Sequence, residues 1–172
     1  MEQLKTKQKY TTTFLERGSF WFFGIGMIIY YMIVGSYLNT FLLLQGVDLG
    51  KVALIFLFIK VWDAVNDPIF GYIFDKVKFK NGLKSLPWLR IAVAFIPVVT
   101  IAVFAIPGGF SETGKLVWFA VAYLLWDTIY TLTDVPAYSM LNTMTDSLEE
   151  RNLLLSVNRV FSGAGYLLCV VV

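Results

Sequence analysis

The sequence contains no histidine and only one cysteine in 172 residues. Without histidine, the commonest general base, metal ligand and pH switch among side chains is absent. The single thiol, Cys169, excludes an internal disulfide framework and lies in an apolar run, where it is most simply a packing residue. No spacing of a nucleophile with a base is recognisable either. An enzyme is therefore the function class that the sequence favours least.

Charge is also scarce. Charged residues make up 15% of the chain and hydrophobic residues 58%, with a mean hydropathy of +0.69, which is typical of a membrane protein. The stretch between Arg17 and Asp48 carries no charge, and about 20 apolar residues of helix suffice to cross a bilayer. This stretch exceeds the apolar core of a signal peptide and no small-residue cleavage site follows it. We therefore expect it to remain attached as the first transmembrane span.

Five apolar segments predict an all-α membrane protein. Short connections rich in turn-forming residues separate them, so neighbouring helices should run antiparallel. Five spans, with a sequence that ends on CVVV without a polar flank, predict that the chain is part of a longer protein; the alternative is a small five-span protein. After a tail of residues 1–19, the predicted spans of the helical region 20–172 are 20–44, 52–74, 86–106, 116–141 and 153–172.

The positions of lysine and arginine predict the orientation. The tail and the second connection hold four such residues each, whereas the first and third connections hold only Lys51 and Lys115. The positive-inside rule then places the N-terminus in the cytoplasm, for a multi-pass protein of the cell membrane. Nucleic-acid binding is not expected, because these lysines are explained by their role in orienting the helices in the lipid bilayer.

Six charged residues lie inside the predicted spans, where each costs about 2.5 to 3.5 kcal/mol at mid-membrane. Mutual neutralisation, a clamp between helices, or snorkelling of the longer cations to an interface would each explain some of them. Carboxylates cannot snorkel far, so a functional role is favoured for the aspartates. The six are Lys60, Asp63, Asp67, Asp127, Asp134 and Arg159.

Helical spacing gathers these charges into two polar stripes. On the second span Lys60, Asp63 and Asp67 fall at i, i+3 and i+7, with Asn66 beside them and Pro68 directly after. Because proline removes a backbone donor, an upstream carbonyl is released at the same level. On the fourth span the stripe runs at i, i+4, i+7 and i+11 and consists of Asp127, Thr131, Asp134 and Tyr138, with Tyr130 alongside.

The six charges sum to four negative and two positive, so two carboxylates lack a protein cation. Sodium, lithium or protons would supply the missing positive charge, since hard cations prefer carboxylate and hydroxyl oxygens. Aromatic rings near the stripes favour a small-molecule site in which a sugar face stacks on a ring. Ordinary packing explains such rings equally well, above all for Trp62 and Trp126.

These residues resemble a known family, the glycoside-pentoside-hexuronide:cation symporters of the melibiose permease type, within the major facilitator superfamily. The resemblance rests on WDAVNDPIFGYIFDK, on the basic loop ending GLKSLPWL, on YLLWDTIYTLTDVPAYSML, and on the arginine of LLLSVNRVFSGAG. It implies a twelve-helix fold of two six-helix halves that works by alternating access. The chain would be most of the N-terminal half, and the C-terminal half would lie outside it.

The resemblance also implies roles for individual residues, with no cofactor other than the coupling ion. Asp63, Asp67 and Thr131 match cation-site positions, and Asn66 lies among them. Substrate contacts match Asp134, Arg159, Tyr130 and Tyr138, and Lys60 lies near this polar network. A cytoplasmic gate loop, in which Asp75 pairs with basic residues, matches Gly71, Asp75, Lys76 and Gly82; as an alternative, its lysines only set the topology.

Three departures from the family pattern put the substrate in doubt. The first helix lacks the acidic residue of sugar-binding members, because GIGMIIYY stands there. Asp127 stands where melibiose-type sequences have a small residue, and is predicted to replace that acid from another helix as a substrate contact. Tyr138 replaces the usual tryptophan. The leading hypothesis is cation-coupled symport of a sugar or glycoside; a lysolipid-type symporter and a non-transporting membrane fragment are the alternatives.

Overall fold

A computed structural model describes residues 11–77, 79 and 85–171. Within these residues the chain forms five helices, as the apolar segments predict. The helices extend past several of the predicted spans at their polar ends, because apolar runs mark only the part that suits a lipid environment. They are α1 (Phe14–Leu44), α2 (Leu49–Lys76), α3 (Leu86–Phe104), α4 (Glu112–Met144) and α5 (Leu148–Val171).

Side-chain caps explain where the helices begin. At the start of α1, Thr13 Oγ1 accepts from the Glu16 backbone N–H, and the Glu16 carboxylate accepts from Thr13 N at 2.7 Å. This reciprocal pair is a capping box. Asp48 caps α2 by accepting from Gly50 N at 2.6 Å, and Ser111 accepts from the backbone of the first turn of α4. Such caps satisfy backbone donors that the helix itself leaves unpaired.

Glycine ends α1. Gly46 has a φ of 70°, a left-handed conformation that residues with a side chain rarely adopt. Its N–H donates to the carbonyl of Leu43 at 3.0 Å, and the next N–H, that of Val47, donates to Leu42. These contacts satisfy the last carbonyls of the helix and turn the chain toward α2.

Four helices, α1, α3, α4 and α5, are long and apolar enough to cross a membrane by length and composition. The chain is thus a multi-pass membrane protein. The second helix does not meet that criterion, although it is 28 residues long. The reason is its charge, because Lys60, Asp63 and Asp67 interrupt its apolar run. The second predicted span remains a prediction.

The described residues divide into two compact units. The first contains the chain up to Ile28 together with the part from Leu141 onward, and the second is Ile29–Met140. In the first unit, α5 packs closely on the start of α1. A Cβ on Gly24 would lie 2.1 Å from Asn158 Oδ1, and the Trp21 ring stacks on Phe161 at 5.7 Å between centroids.

The second unit has an apolar core formed by the second half of α1 and by α2, α3 and α4. Polar ties reinforce it, since Trp126 Nε1 donates to Thr100 Oγ1 at 3.1 Å, and Thr100 Oγ1 donates to the Ile96 carbonyl at 2.7 Å. These bonds fix α4 against α3. The core residues are Val34, Leu38, Leu42, Val47, Val52, Ile96, Val103, Ile106, Leu116, Phe119, Ala122 and Trp126.

Candidate functional site

The polar stripes of α2 and α4 meet within the second unit. Lys60 Nζ donates to Asp63 Oδ2 at 2.7 Å, and the Asp63 carboxyl group also lies within hydrogen-bonding reach of the Asp127 carboxyl group. Lys60 attracts Asp127 electrostatically as well. We call Lys60, Asp63 and Asp127 the charged triad. Spacing alone put two of its members on one helix, whereas packing brings the third from α4.

Two carboxyl groups in contact require a positive charge or a proton between them, because two bare carboxylates repel each other. Lys60 supplies one charge, but its side chain is 69% exposed and it bonds to Asp63. Asp127 Oδ2 is buried, and among the described residues no group donates a hydrogen bond to it. The triad carries a net charge of −1 when every member is ionised. Its arrangement can therefore bind and release one positive charge.

Asn66 and Asp67 continue the stripe along α2. Asn66 is 1% exposed, and its Nδ2 has no hydrogen-bond partner among the described residues. Asp67, next in the chain, is exposed, and it interacts electrostatically with both Asp127 and Asp134. A buried amide donor without a partner is costly. The stripe therefore contains an unused donor beside a surplus of carboxylate.

The remaining predicted ion ligand, Thr131, lies on α4 one turn beyond Asp127 and is half-buried. Among residues 11–77, 79 and 85–171, no set of three or more Asp, Glu, His or Cys side chains is arranged to hold a metal ion. The structure thus brings Asp63 to Asp127 rather than collecting the acidic residues of both stripes at one point.

The predicted substrate residues of α4 share one face. Asp134 is half-buried, and Tyr130 interacts electrostatically with both Asp134 and Tyr138. The Tyr130 ring contacts Tyr31 of α1 at 5.8 Å between centroids. Tyr138 is 52% exposed. These three α4 residues form a second polar surface, one to three turns from Asp127.

Two further predictions concern the other parts of the chain. Arg159 lies on α5 in the first unit, where its side chain is exposed. Of the predicted gate-loop residues, Gly71 and Lys76 lie in α2, and Lys76 Nζ sits 5.4 Å from the centre of the Tyr72 ring. Asp75 is also in α2, but its side chain lies outside the described structure. Gly82 lies outside the described residues altogether.

The two tryptophans near the stripes serve packing. Trp126 is 3% exposed, and its ring stacks on Tyr123 at 5.5 Å and on Tyr130 at 5.3 Å. It belongs to the apolar core, so no face of the ring remains for a ligand. Trp62 is half-buried, and its Nε1 donates to Thr128 Oγ1 at 3.4 Å, which joins α2 to α4.

Sequence reasoning missed a polar cluster in the first unit. Glu150 is 4% exposed, and its carboxylate accepts from the backbone N–H groups of Thr11 and Thr12, each at 3.1 Å, and from both hydroxyls. Thr145 Oγ1 donates to it at 2.7 Å. A signal was present in SLEE, because Ser147 with Glu150 has the spacing of a capping box, and Ser147 Oγ does accept from Glu150 N. Its partners Thr11 and Thr12, over 130 residues away in the chain, could not be predicted from the sequence.

Comparison with known proteins gives a family match. The family described as MFS/sugar transport protein matches residues 19–172. The chain is 35% identical over 125 residues to the sodium-dependent lysophosphatidylcholine symporter 1 of Xenopus tropicalis, covering 70% of this chain and 23% of that protein.

Two bacterial relatives match at similar identity. The symporter YjmB of Bacillus subtilis (strain 168) is 30% identical over 174 residues, or 99% of this chain and 36% of that protein. The isoprimeverose transporter of Lactiplantibacillus pentosus is 30% identical over 135 residues, or 77% of this chain and 27% of that protein. The chain thus spans between about a quarter and about a third of the length of these relatives.

Proposed function

The chain belongs to the MFS/sugar transport protein family, and we propose that it forms part of a secondary transporter that couples entry of a cation to transport of a sugar or glycoside. Transporters of this superfamily work by alternating access around a central site. The remaining helices of the whole transporter would come from sequence outside this chain. We place the transporter in the cell membrane with its N-terminus in the cytoplasm, as the lysine distribution predicts.

The observation that carries the proposal is the contact between the charged stripes of α2 and α4. Lys60 bonds to Asp63 at 2.7 Å, and Asp63 meets Asp127 from the other helix. A net negative group within apolar helices is costly unless it serves a purpose, and reversible occupancy by sodium, lithium or a proton is such a purpose. Moving that charge on or off changes the force between α2 and α4. Ion binding and helix movement are thereby linked.

A sugar or glycoside fits the second polar surface. Asp134 offers carboxylate oxygens for hydroxyl groups, and Tyr130 and Tyr138 offer an aromatic edge and face. The family resemblance assigns a substrate role to Arg159 as well. The isoprimeverose transporter among the relatives supports this class of cargo. Asp67, which interacts electrostatically with both Asp127 and Asp134, is the residue that would link the ion to the cargo.

The test is uptake into membrane vesicles by the full-length gene product that contains this chain, with sodium and pH varied independently. Asp63→Cys and Asp67→Cys should each lower cation-driven uptake about tenfold or more, because losing a charged contact of roughly 1.5 kcal/mol corresponds to that factor. Asp146→Cys is the matched control, since Asp146 is exposed at the α4–α5 connection. Uptake indifferent to both sodium and pH would disprove the coupling.

A lysolipid is the second candidate cargo. The relative from Xenopus tropicalis, a lysophosphatidylcholine symporter by name, matches at 35% identity and supports it. Competition distinguishes the two cargoes in the same vesicles. Sugars that inhibit uptake of a labelled glycoside, with no effect of lysophosphatidylcholine, favour the first candidate. Uptake of labelled lysophosphatidylcholine that sugars leave unchanged favours the second.

A further inference from the structure

A small cavity adjoins the polar surface of α4 that we propose for the cargo. It lies within the second unit and has a volume of about 80 Å³. Three helices supply its walls, with Tyr31, Gly35 and Asn39 on α1, Phe56 on α2 and Tyr123 on α4. The Tyr31 ring also contacts the ring of Tyr130, a residue of the cargo surface, at 5.8 Å between centroids. The cavity and the cargo surface are therefore neighbours.

The volume of the cavity limits what can enter it. A single water needs about 10 to 15 Å³ of such space, whereas sites that enclose a drug-sized ligand measure roughly 300 to 1,000 Å³. The cavity lies between these limits and suits one substituent of a larger molecule. Tyr31, Gly35 and Asn39 follow each other at i, i+4 and i+8 and are all exposed, so the mouth opens along one stripe of α1. A substituent can enter there while the rest of its molecule stays outside.

The walls of the cavity combine aromatic carbon with uncharged polar groups. The Phe56 and Tyr123 rings stand nearly perpendicular to each other, with their centroids 5.1 Å apart. Asn39 contributes an amide, which both donates and accepts hydrogen bonds. An alkyl group would leave that amide unpaired, and a bare hydroxyl group would leave ring surface unfilled. A hydroxymethyl group suits both, because its carbon packs on the rings while its hydroxyl group bonds to the amide.

This chemistry separates three types of sugar that share the same pyranose ring. Hexosides carry a hydroxymethyl group on C5, pentosides carry only hydrogen there, and hexuronides carry a carboxylate. A pentoside would leave the cavity filled with water. A hexuronide would bring a negative charge into a space where no lining residue of the described structure is charged, beside a cargo surface that already holds the carboxyl group of Asp134. That carboxylate would lose hydration without gaining a cation.

We propose that this cavity binds the hydroxymethyl group of a hexoside, so that the transporter prefers hexosides to pentosides and hexuronides. Asn39 then determines specificity through a hydrogen bond to the hydroxyl group, and Gly35 keeps the cavity open. A Cβ on Gly35 would have no atom of the described residues within 4 Å, so the missing side chain leaves free space. The inference rests on the proposed transport of a sugar or glycoside and adds two residues to its site.

Calorimetric binding to the purified full-length protein tests this preference without transport. Methyl glucoside, methyl xyloside and methyl glucuronide of the same anomeric form differ only at C5. We expect methyl glucoside to bind about tenfold or more tightly than the other two, since a site built to bond a hydroxyl group rejects analogues that lack it. Equal affinity for methyl glucoside and methyl xyloside would overturn the proposal, as would the absence of binding by all three sugars.

Filling the cavity tests whether it is the source of the preference. Gly35→Leu adds a side chain where no described atom lies within 4 Å of the Cβ, so the fold should be retained. The preference for methyl glucoside over methyl xyloside should vanish, while methyl xyloside still binds. Gly18→Leu is the matched control, because Gly18 is another open glycine of α1, near the start of the helix. A tenfold preference that survives in folded Gly35→Leu would refute the role of the cavity.

A substitution of Asn39 tests the hydrogen bond itself. Asn39→Leu keeps a side chain of similar size but removes the amide. The affinity for methyl glucoside should fall about tenfold, and the affinity for methyl xyloside should stay within about twofold, because only the first sugar has a hydroxyl group to bond. Asn39→Thr, which restores a hydroxyl group, should recover part of the loss. Equal weakening of both sugars by Asn39→Leu would show that Asn39 has only a structural role.

Binding and uptake distinguish failure of this inference from failure of the proposed function. A preference for methyl glucoside without any cation-driven uptake would disprove the function and leave the cavity assignment intact. Uptake that responds to sodium or pH but treats the three sugars alike would do the reverse. Quaternary ammonium groups also pack on aromatic rings, so lysophosphatidylcholine is the last probe. Should Gly35→Leu weaken its binding and leave that of methyl glucoside unchanged, the cavity would belong to a choline group and the proposal would be wrong.

Discussion

Two carboxyl groups of this protein have opposite surroundings. Glu150, in the first unit, accepts five hydrogen bonds from Thr11, Thr12 and Thr145. Asp127, in the second unit, meets another carboxyl group and leaves Oδ2 without a donor among the described residues. A carboxylate whose oxygens already accept several hydrogen bonds gains nothing from binding a further positive charge, so we assign Glu150 to stabilising the fold. An incompletely satisfied one gains from taking up a charge, which is the property that ion coupling requires.

The units also differ in what stabilises them. The second unit depends on aromatic and aliphatic packing, in which the Trp126 ring is buried and donates a hydrogen bond to Thr100. The first depends on the Glu150 cluster and on the close contact of Gly24 with α5. The difference between the units can be tested by substitutions that remove the Trp126 packing, the Glu150 cluster or the Gly24 contact one at a time. They are given in order of expected effect on stability.

Trp126→Ala should have the largest effect. Its ring is 3% exposed and stacks between Tyr123 and Tyr130, so its removal leaves a cavity and should lower the free energy of unfolding by about 3 to 5 kcal/mol. Thermal unfolding in detergent measures the change. Trp126→Phe, which keeps a ring but loses the bond to Thr100, should cost about 1 kcal/mol. Equal losses for the two variants would contradict a packing role.

Glu150→Ala should come next. The substitution leaves the backbone N–H groups of Thr11 and Thr12 without a hydrogen-bond acceptor. Each buried donor without a partner lowers the free energy of unfolding by roughly 1 to 3 kcal/mol. Hydrogen exchange at these two amides should accelerate, and the unfolding temperature should fall. Glu149→Ala is the control, because Glu149 is the exposed neighbour in the same helical turn. A matching loss in both variants would mean that helix capping, not the cluster, is responsible.

Gly24→Ala should have an intermediate effect on the first unit. A Cβ there would lie 2.1 Å from Asn158 Oδ1, so the amide must move, and such overpacking costs about 1 to 3 kcal/mol. Gly26→Ala is the control, because no atom lies within 4 Å of a Cβ at that position among the described residues. Thermal unfolding separates the two variants. Asn158→Ala should relieve the clash in the double variant, and failure to do so would place the strain elsewhere.

Asp127→Asn should have the smallest effect on stability. The new amide N–H can donate a hydrogen bond to the Asp63 carboxylate, and the repulsion between the two carboxyl groups is removed, so the change should stay within about 1 kcal/mol in either direction. The same thermal unfolding assay applies. A loss as large as that of Glu150→Ala would show that the two carboxyl groups play the same structural role, and the contrast between the units would disappear.

Much of the architecture was predictable from the sequence. Each helix coincides with an apolar run, and the stripe positions of α2 and α4 follow from spacing because 3.6 residues per turn fixes which side chains share a face. The polar ends of the helices were harder to predict from the sequence. Caps such as Thr13 with Glu16 extend a helix beyond its apolar part, and hydropathy does not register them.

The candidate site, too, was predictable from the sequence only in part. Sequence identified Asp63, Asp67 and Asp127 as charges within apolar helices, and family membership confirms the expected class of transporter. It assigned Asp127 to the cargo because the family's acidic residue on the first helix is absent, and spacing gave no sign that Asp127 lies beside Asp63. It also left the role of Trp126 open between stacking on a ligand and packing, which burial and the two flanking tyrosine rings resolve in favour of packing.

By itself, the sequence determined the helices, their polar faces and the membrane environment, since these depend on neighbours within a few turns of the same helix. Only the tertiary structure decided that Asp127 meets Asp63, and that Glu150 is held by threonines more than 130 positions away. Contacts of this kind depend on the register in which helices pack. That register is set by the shape of the whole apolar core and not by any local pattern.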